Sequence, residues 1–116
     1  MRKLFRVVIV SLALGVSPSA LFAHATLERA SPPVGSVVNG SPSQIRLWFT
    51  EAIERRFSEA VVIGPSGNRV GRGSASGNQL VISVPRLGAG TYRVNWRVRS
   101  IDGHKTEGSY TFEVTR

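Results

Sequence analysis

The stretch TYRVNWRVRS, residues 91–100, sets Tyr92, Val94, Trp96 and Val98 alternately against Arg93, Asn95, Arg97 and Arg99. Successive strand residues point to opposite faces of a sheet, so this period of two predicts a strand with one face in a core and one in water. Three further stretches repeat it. QIRLWFT (44–50) puts Ile45, Leu47 and Phe49 inward with Arg46 and Trp48 outward, and QLVISV (79–84) does the same with Leu80, Ile82 and Val84. SYTFEV (109–114) sets Tyr110, Phe112 and Val114 against Ser109, Thr111 and Glu113. One-sided alternation is the habit of antiparallel sheets.

Punctuation agrees. GPSGN (64–68), SGN (76–78) and LGAG (87–90) supply the Gly, Pro and Asn of tight turns. With ATLERA (25–30) and AVVI (60–63) as further strands, the chain reads as all-β, about seven short strands in a sandwich or small barrel. EAIERRFSEA (51–60) is the one segment that reads as a loop or short helix. Trp96 lies on the apolar stripe and belongs to the core, whereas Trp48 falls on the face opposite Phe49.

Ahead of these strands stands a leader. Arg2, Lys3 and Arg6 precede an apolar run from Val7 to Val16, and Leu21-Phe22-Ala23 follows a short polar stretch. A basic head, an apolar run of about ten residues and a small residue at the end describe a secretory signal peptide, and a spanning helix needs roughly 20 apolar residues. Residues 1–23 are therefore expected to be removed, leaving 24–116 as one small domain. Two cleavage points compete: after Ala23, which makes His24 the first residue, or after Ala25, where Ala23-His24-Ala25 is a literal A-x-A.

Cysteine is absent, which excludes disulfides, thiolate metal ligands, cysteine-linked haem and cysteine nucleophiles. Of 15 lysines and arginines three lie in the leader, leaving 12 against seven acids. In an exported protein that excess reads as a solvated arginine face, with acidic partners or anionic headgroups as the alternative, and not as a nucleic-acid site. No serine stands in a nucleophile context, and no two glutamates pair as a glycosidase requires.

Two histidines remain. His104 follows Asp102 across Gly103 in SIDGHKTEGSY (100–110), and the glycine permits a bend that aims both side chains together. By itself such a turn is more often structural. His24 as first residue would change that, because its α-amine and imidazole Nδ1 close a six-membered chelate on one metal ion. With His104 and Asp102 the donors are three nitrogens and one oxygen without sulfur, a set suited to tetragonal Cu(II).

AHATLERASPPVGSVV (23–38), IRLWFTEAIE (45–54) and GTYRVNWRVRSIDGHKTEGSYTFEV (90–114) resemble, in order, the CopC family of periplasmic copper-binding proteins. The start AH with the late SxDGHxxxGxYxF is the specific part. The resemblance implies a small antiparallel Greek-key β-sandwich, Ig-like or cupredoxin-like, whose mature form begins at His24. It implies one Cu(II) per chain held by the His24 amine and imidazole, the His104 imidazole and the Asp102 carboxylate. Glu51 matches an acidic position and is expected in the outer shell. Thr106 is a candidate for orienting the site.

The implied role is to buffer, carry or deliver copper in the periplasm as a monomer and not as an enzyme, with an inner-membrane partner of the CopD type. The sequence departs from some family members in one respect. Met1 is its only methionine, so the methionine-rich Cu(I) loop has no counterpart in GPSGNRVGRGSASGNQ (64–79). The other readings of these residues are a metal-free Ig-like structural or adhesion module and an N-terminal-histidine copper monooxygenase.

Overall fold

The computed structural model describes residues 25–116; the leader and His24 lie outside the described residues. Eight strands follow in chain order: β1 Leu27–Ser31, β2 Val37–Asn39, β3 Gln44–Phe49, β4 Glu59–Ile63, β5 Arg69–Ser76, β6 Gln79–Ser83, β7 Gly90–Arg99 and β8 Lys105–Thr115. They are hydrogen-bonded in the order β1-β3-β6-β5-β4-β7-β8-β2. The fold is the all-β sandwich read from the sequence. The consecutive strands β4, β5 and β6, with β3 returned beside β6, trace a Greek key. Every pairing is antiparallel except β2 with β8, which is parallel.

Two strands lack a signal in the sequence. Edge strand β2 is only three residues long. In β5 the inward positions are Gly71, Gly73 and Ala75, and the strand pairs with both β4 and β6. A Cβ on Gly73 would stand 2.1 Å from the Val81 carbonyl oxygen, and one on Gly71 2.9 Å from Val84 Cγ1. Close backbone approach has replaced the apolar side chains that mark a strand.

The predicted stripes form the core. Ile45, Leu47, Phe49, Leu80 and Ile82 are fully buried, and Val62, Val94 and Val98 with Phe112 and Val114 meet them. Phe49 meets Trp96 edge-on with ring centroids 5.1 Å apart, and Tyr92 stacks on Phe112 at 5.6 Å. Trp96 leans over Gly108, its partner on β8, where a Cβ would lie 2.5 Å from Cζ2. The Tyr92 hydroxyl donates to the Gly88 carbonyl at 2.8 Å, a tyrosine corner that ties the loop before β7 to the strand. Trp48 is on the outer face as read, with the Arg29 guanidinium 3.8 Å from its ring centroid. The segment 51–60 holds a single 3-10 turn, Arg55–Phe57.

Candidate metal centre

Strands β7 and β8 pair along their full length, Arg99 facing Lys105, so residues 100–104 form the turn between them. Ser100 is buried, and two backbone bonds close the turn around it: its N–H donates to the His104 carbonyl at 2.8 Å, and Gly103 N–H donates to the Ser100 carbonyl at 2.8 Å. The His104 N–H donates to the Ser100 hydroxyl oxygen at 3.2 Å. Gly103 takes φ of +95°, a left-handed conformation that a side chain would strain. This bend brings Asp102 and His104 together as the sequence predicts.

Asp102 Oδ1 accepts the Ser100 hydroxyl and lies 3.0 Å from His104 Nδ1. The Ser100 hydroxyl first, then His104, hold the Asp102 carboxyl well below its ordinary value, down to about 2. An ionised carboxylate only accepts, so Nδ1 carries the proton of the neutral ring and the lone pair sits on Nε2. A carboxylate on one ring nitrogen is the arrangement that orients a metal-binding histidine. Both side chains are solvent-accessible, at 39% for His104 and 44% for Asp102, so an ion reaches them from water.

The segment where the described chain begins is tied to the same end of the sandwich. Ala25 is completely buried, and its carbonyl oxygen accepts the Thr106 hydroxyl at 2.6 Å. Thr26 N–H donates to Thr50 Oγ1 at 3.1 Å, and Thr50 N–H donates to the Thr26 carbonyl at 2.9 Å. Residues 50–53 in turn reach the β7–β8 turn, where Ile53 bridges Ser100 and Ile101 N–H donates to the Ala52 carbonyl at 3.3 Å. Three segments distant in sequence thus meet around His104.

Glu51 lies in this neighbourhood, exposed in the bend after β3. Among the described residues no hydrogen bond or ion pair joins it to Asp102 or His104. Nor do three His, Asp or Glu side chains gather among the described residues into a group that could hold a metal. Asp102 and His104 are two donors, and the third member of the predicted set, His24, lies outside the described residues. Ser100, which fixes both donors, was not a candidate from the sequence; its signal is the spacing S-x-D ahead of a glycine, a pattern in which a hydroxyl and a carboxylate bond each other locally. Thr106, expected to orient the site, holds the Ala25 carbonyl.

A Greek-key sandwich with an Asp-Gly-His turn beside its entering segment defines a class, and the comparisons agree on it. Residues 27–115 match the CopC domain, and the chain belongs to the CopC family. It is 40% identical to Protein YobA of Escherichia coli K12 over 105 residues, 85% of this chain and 84% of that protein. Among solved structures, CopC from Methylosinus trichosporium OB3b superposes with a TM-score of 0.74 at 34% identity, covering 78% of this chain and 93% of that one. PcoC, a methionine-rich copper resistance protein from Escherichia coli, gives 0.69 at 35% identity, covering 80% and 100%. The protein is thus a member of a copper resistance and transport family.

Proposed function

We propose that this chain is exported, cleaved after Ala23, and binds one Cu(II) in the periplasm, buffering, carrying or delivering it. The ligands are the α-amine and imidazole of His24, the imidazole of His104 and the carboxylate of Asp102. One observation carries the reading: Thr106, two residues beyond His104, holds the Ala25 carbonyl at 2.6 Å. Residue 24 is one peptide bond from Ala25, and consecutive Cα atoms are about 3.8 Å apart, so the amine and ring of a first-residue histidine are within reach of the Asp102–His104 pair.

The donors fit the ion. Three nitrogens and an oxygen suit Cu(II), while Cu(I) prefers the sulfur that this chain lacks beyond Met1. With Asp102 Oδ1 against His104 Nδ1 the Nε2 lone pair points away from the carboxylate, so joint ligation requires this contact to part and the His104 ring to turn as the ion enters. Glu51 is at most an outer carboxylate. The role is binding rather than catalysis, the protein acts as a monomer, and its customer is an inner-membrane copper transporter of the CopD type.

Copper titration of protein recovered from the periplasm tests this. Its intact mass should correspond to a chain starting at His24, and it should take up one Cu(II) with a type-2 EPR spectrum showing nitrogen coupling. His104→Ala should lower affinity at least about tenfold, the scale of loss for weakened ligand shells. A chain starting at Thr26, or equal affinity in the variant, refutes the site.

A further inference from the structure

Next to the metal centre lies a cleft of about 830 Å³, walled by the Arg55–Phe57 turn, β4, β5 and the adjoining ends of β7 and β8. Its charge is lopsided. Arg55, Arg56, Arg72, Arg97 and Lys105 line it against only Glu59 and Glu107. Glu59 is already committed: Arg72 bonds Oε1 at 2.8 Å and Arg97 bonds Oε2 at 3.0 Å, and these contacts, Arg72 first, hold its carboxyl below the ordinary range. No ion pair engages Arg55, Arg56 or Lys105 among the described residues.

The same wall carries an apolar platform. Phe57 is 51% exposed, one of four large apolar side chains that stand out from the described surface, and the Arg99 guanidinium lies 5.0 Å from its ring centroid. A second of the four, Ile101, is 65% exposed in the β7–β8 turn next to Asp102. The cleft and the metal centre share residues: Lys105 follows His104, and Thr106 both lines the cleft and holds Ala25.

We propose that this cleft docks an acidic segment of the protein with which the chain exchanges copper, the segment's carboxylates meeting Arg55, Arg56 and Lys105 and an apolar side chain resting on Phe57. This rests on the copper-carrier reading above. Concavity favours a chain over a lipid surface, because a flat bilayer meets only the rim of a cleft. Length favours a peptide over a small anion, because the unpaired cations are spread from the 3-10 turn to the start of β8. Unpaired rim charges steer encounter and set partner choice more than they add affinity, which suits a contact that must form and release. A segment docked there would stand beside His104, where its own protein could offer competing ligands.

The test uses the processed, Cu(II)-loaded chain and a labelled synthetic peptide, acetyl-Glu-Asp-Phe-Glu-Asp-Glu-amide, with a Gln/Asn version of it as control. Fluorescence anisotropy should show the acidic peptide binding in low salt, the control not binding, and binding lost as ionic strength shortens the screening length from about 30 Å at 0.01 M to about 3 Å at 1 M. The double variant Arg55→Ser/Arg56→Ser should weaken peptide binding at least about tenfold while Cu(II) affinity stays unchanged. Equal binding of both peptides, or unaltered binding by the double variant, overturns the proposal. So does sedimentation of the chain with phosphatidylglycerol vesicles in the absence of peptide binding. A processed chain that binds the peptide but takes up no Cu(II) overturns copper exchange as the purpose of docking and identifies the carrier reading as the part that failed.

Discussion

The Thr106 hydroxyl donates to the Ala25 carbonyl oxygen at 2.6 Å, a side-chain bond across 81 positions of the sequence. It fastens the segment that leads out of the leader to the strand that begins just after His104. With Ala25 completely buried, its carbonyl has no ready substitute for that donor. Thr106→Val keeps the shape and removes the hydroxyl. The loss should cost about 1 kcal/mol of stability, and Cu(II) affinity should fall about fivefold as the first residues lose their anchor. Thr106→Ser should restore both. Thermal melts and competitive copper titration of the three proteins check this.

Asp102 gives a prediction in pH. Its folded value lies near 2, depressed first by the Ser100 hydroxyl and then by His104, against an ordinary aspartate near 3.9. A depressed acid stabilises the fold once pH exceeds its unfolded value, and that contribution is lost as pH falls through the folded one. The window is therefore about pH 4 down to 2. NMR titration of the Asp102 carboxyl should give a midpoint near 2, moved upward in Ser100→Ala. Asp102 stays ionised far below neutrality, so any loss of copper below about pH 6 comes from protonation of the nitrogen donors, the α-amine and imidazoles as classes titrating at about 6.5 to 8. A flat Cu(II) affinity from pH 7.5 to 5 would contradict nitrogen ligation.

Gly73→Ala should be severely destabilising. The added methyl would sit 2.1 Å from the Val81 carbonyl oxygen and 2.5 Å from Ile82 Cγ1, and a backbone atom of a paired strand cannot step aside as a side-chain tip can. Overpacking typically costs about 1–3 kcal/mol, and a contact this short belongs at or above the upper end. Chemical denaturation reads the effect, and unchanged stability would show that β5 does not cross β6 so closely.

Tyr110 predicts the opposite sign. Its ring is in the core, but among the described residues its hydroxyl oxygen is buried with no hydrogen-bond partner, and burial pushes the phenol pKa up. An unsatisfied buried polar group costs about 1–3 kcal/mol. Tyr110→Phe should therefore hold or raise the melting temperature, and a marked fall would mean that the hydroxyl is satisfied.

How much of this was legible follows from where side chains do the work. The alternations around Ile45, Leu80, Tyr92 and Tyr110 were readable because each strand has one wet face, and the structure buries the predicted stripes except Val84 and Trp96, which pack half-buried against the core. Strand β5 was silent because Gly71 and Gly73 fill its inward positions with backbone contact. Asp102 and His104 could be paired from the intervening Gly103. Ser100 was marked only by the S-x-D-G spacing, and the Ala25 carbonyl could not be placed at all, since its bond to Thr106 spans 81 positions and no local pattern encodes it.

The central claim is that His24 acts because it is the first residue, and one measurement addresses it directly: the Cu(II) affinity of the chain beginning at His24 against the same chain with Gly-Ser-Ala-Ser added ahead of it. Four residues put the histidine fifth, outside the amine–amide–imidazole chelates that form when histidine is second or third. Every side chain of the site survives, and only the amine is moved away. The account predicts a loss of at least about tenfold with an unchanged circular dichroism spectrum. Equal affinity in the two proteins would contradict it, leaving His24 as a side-chain ligand or none.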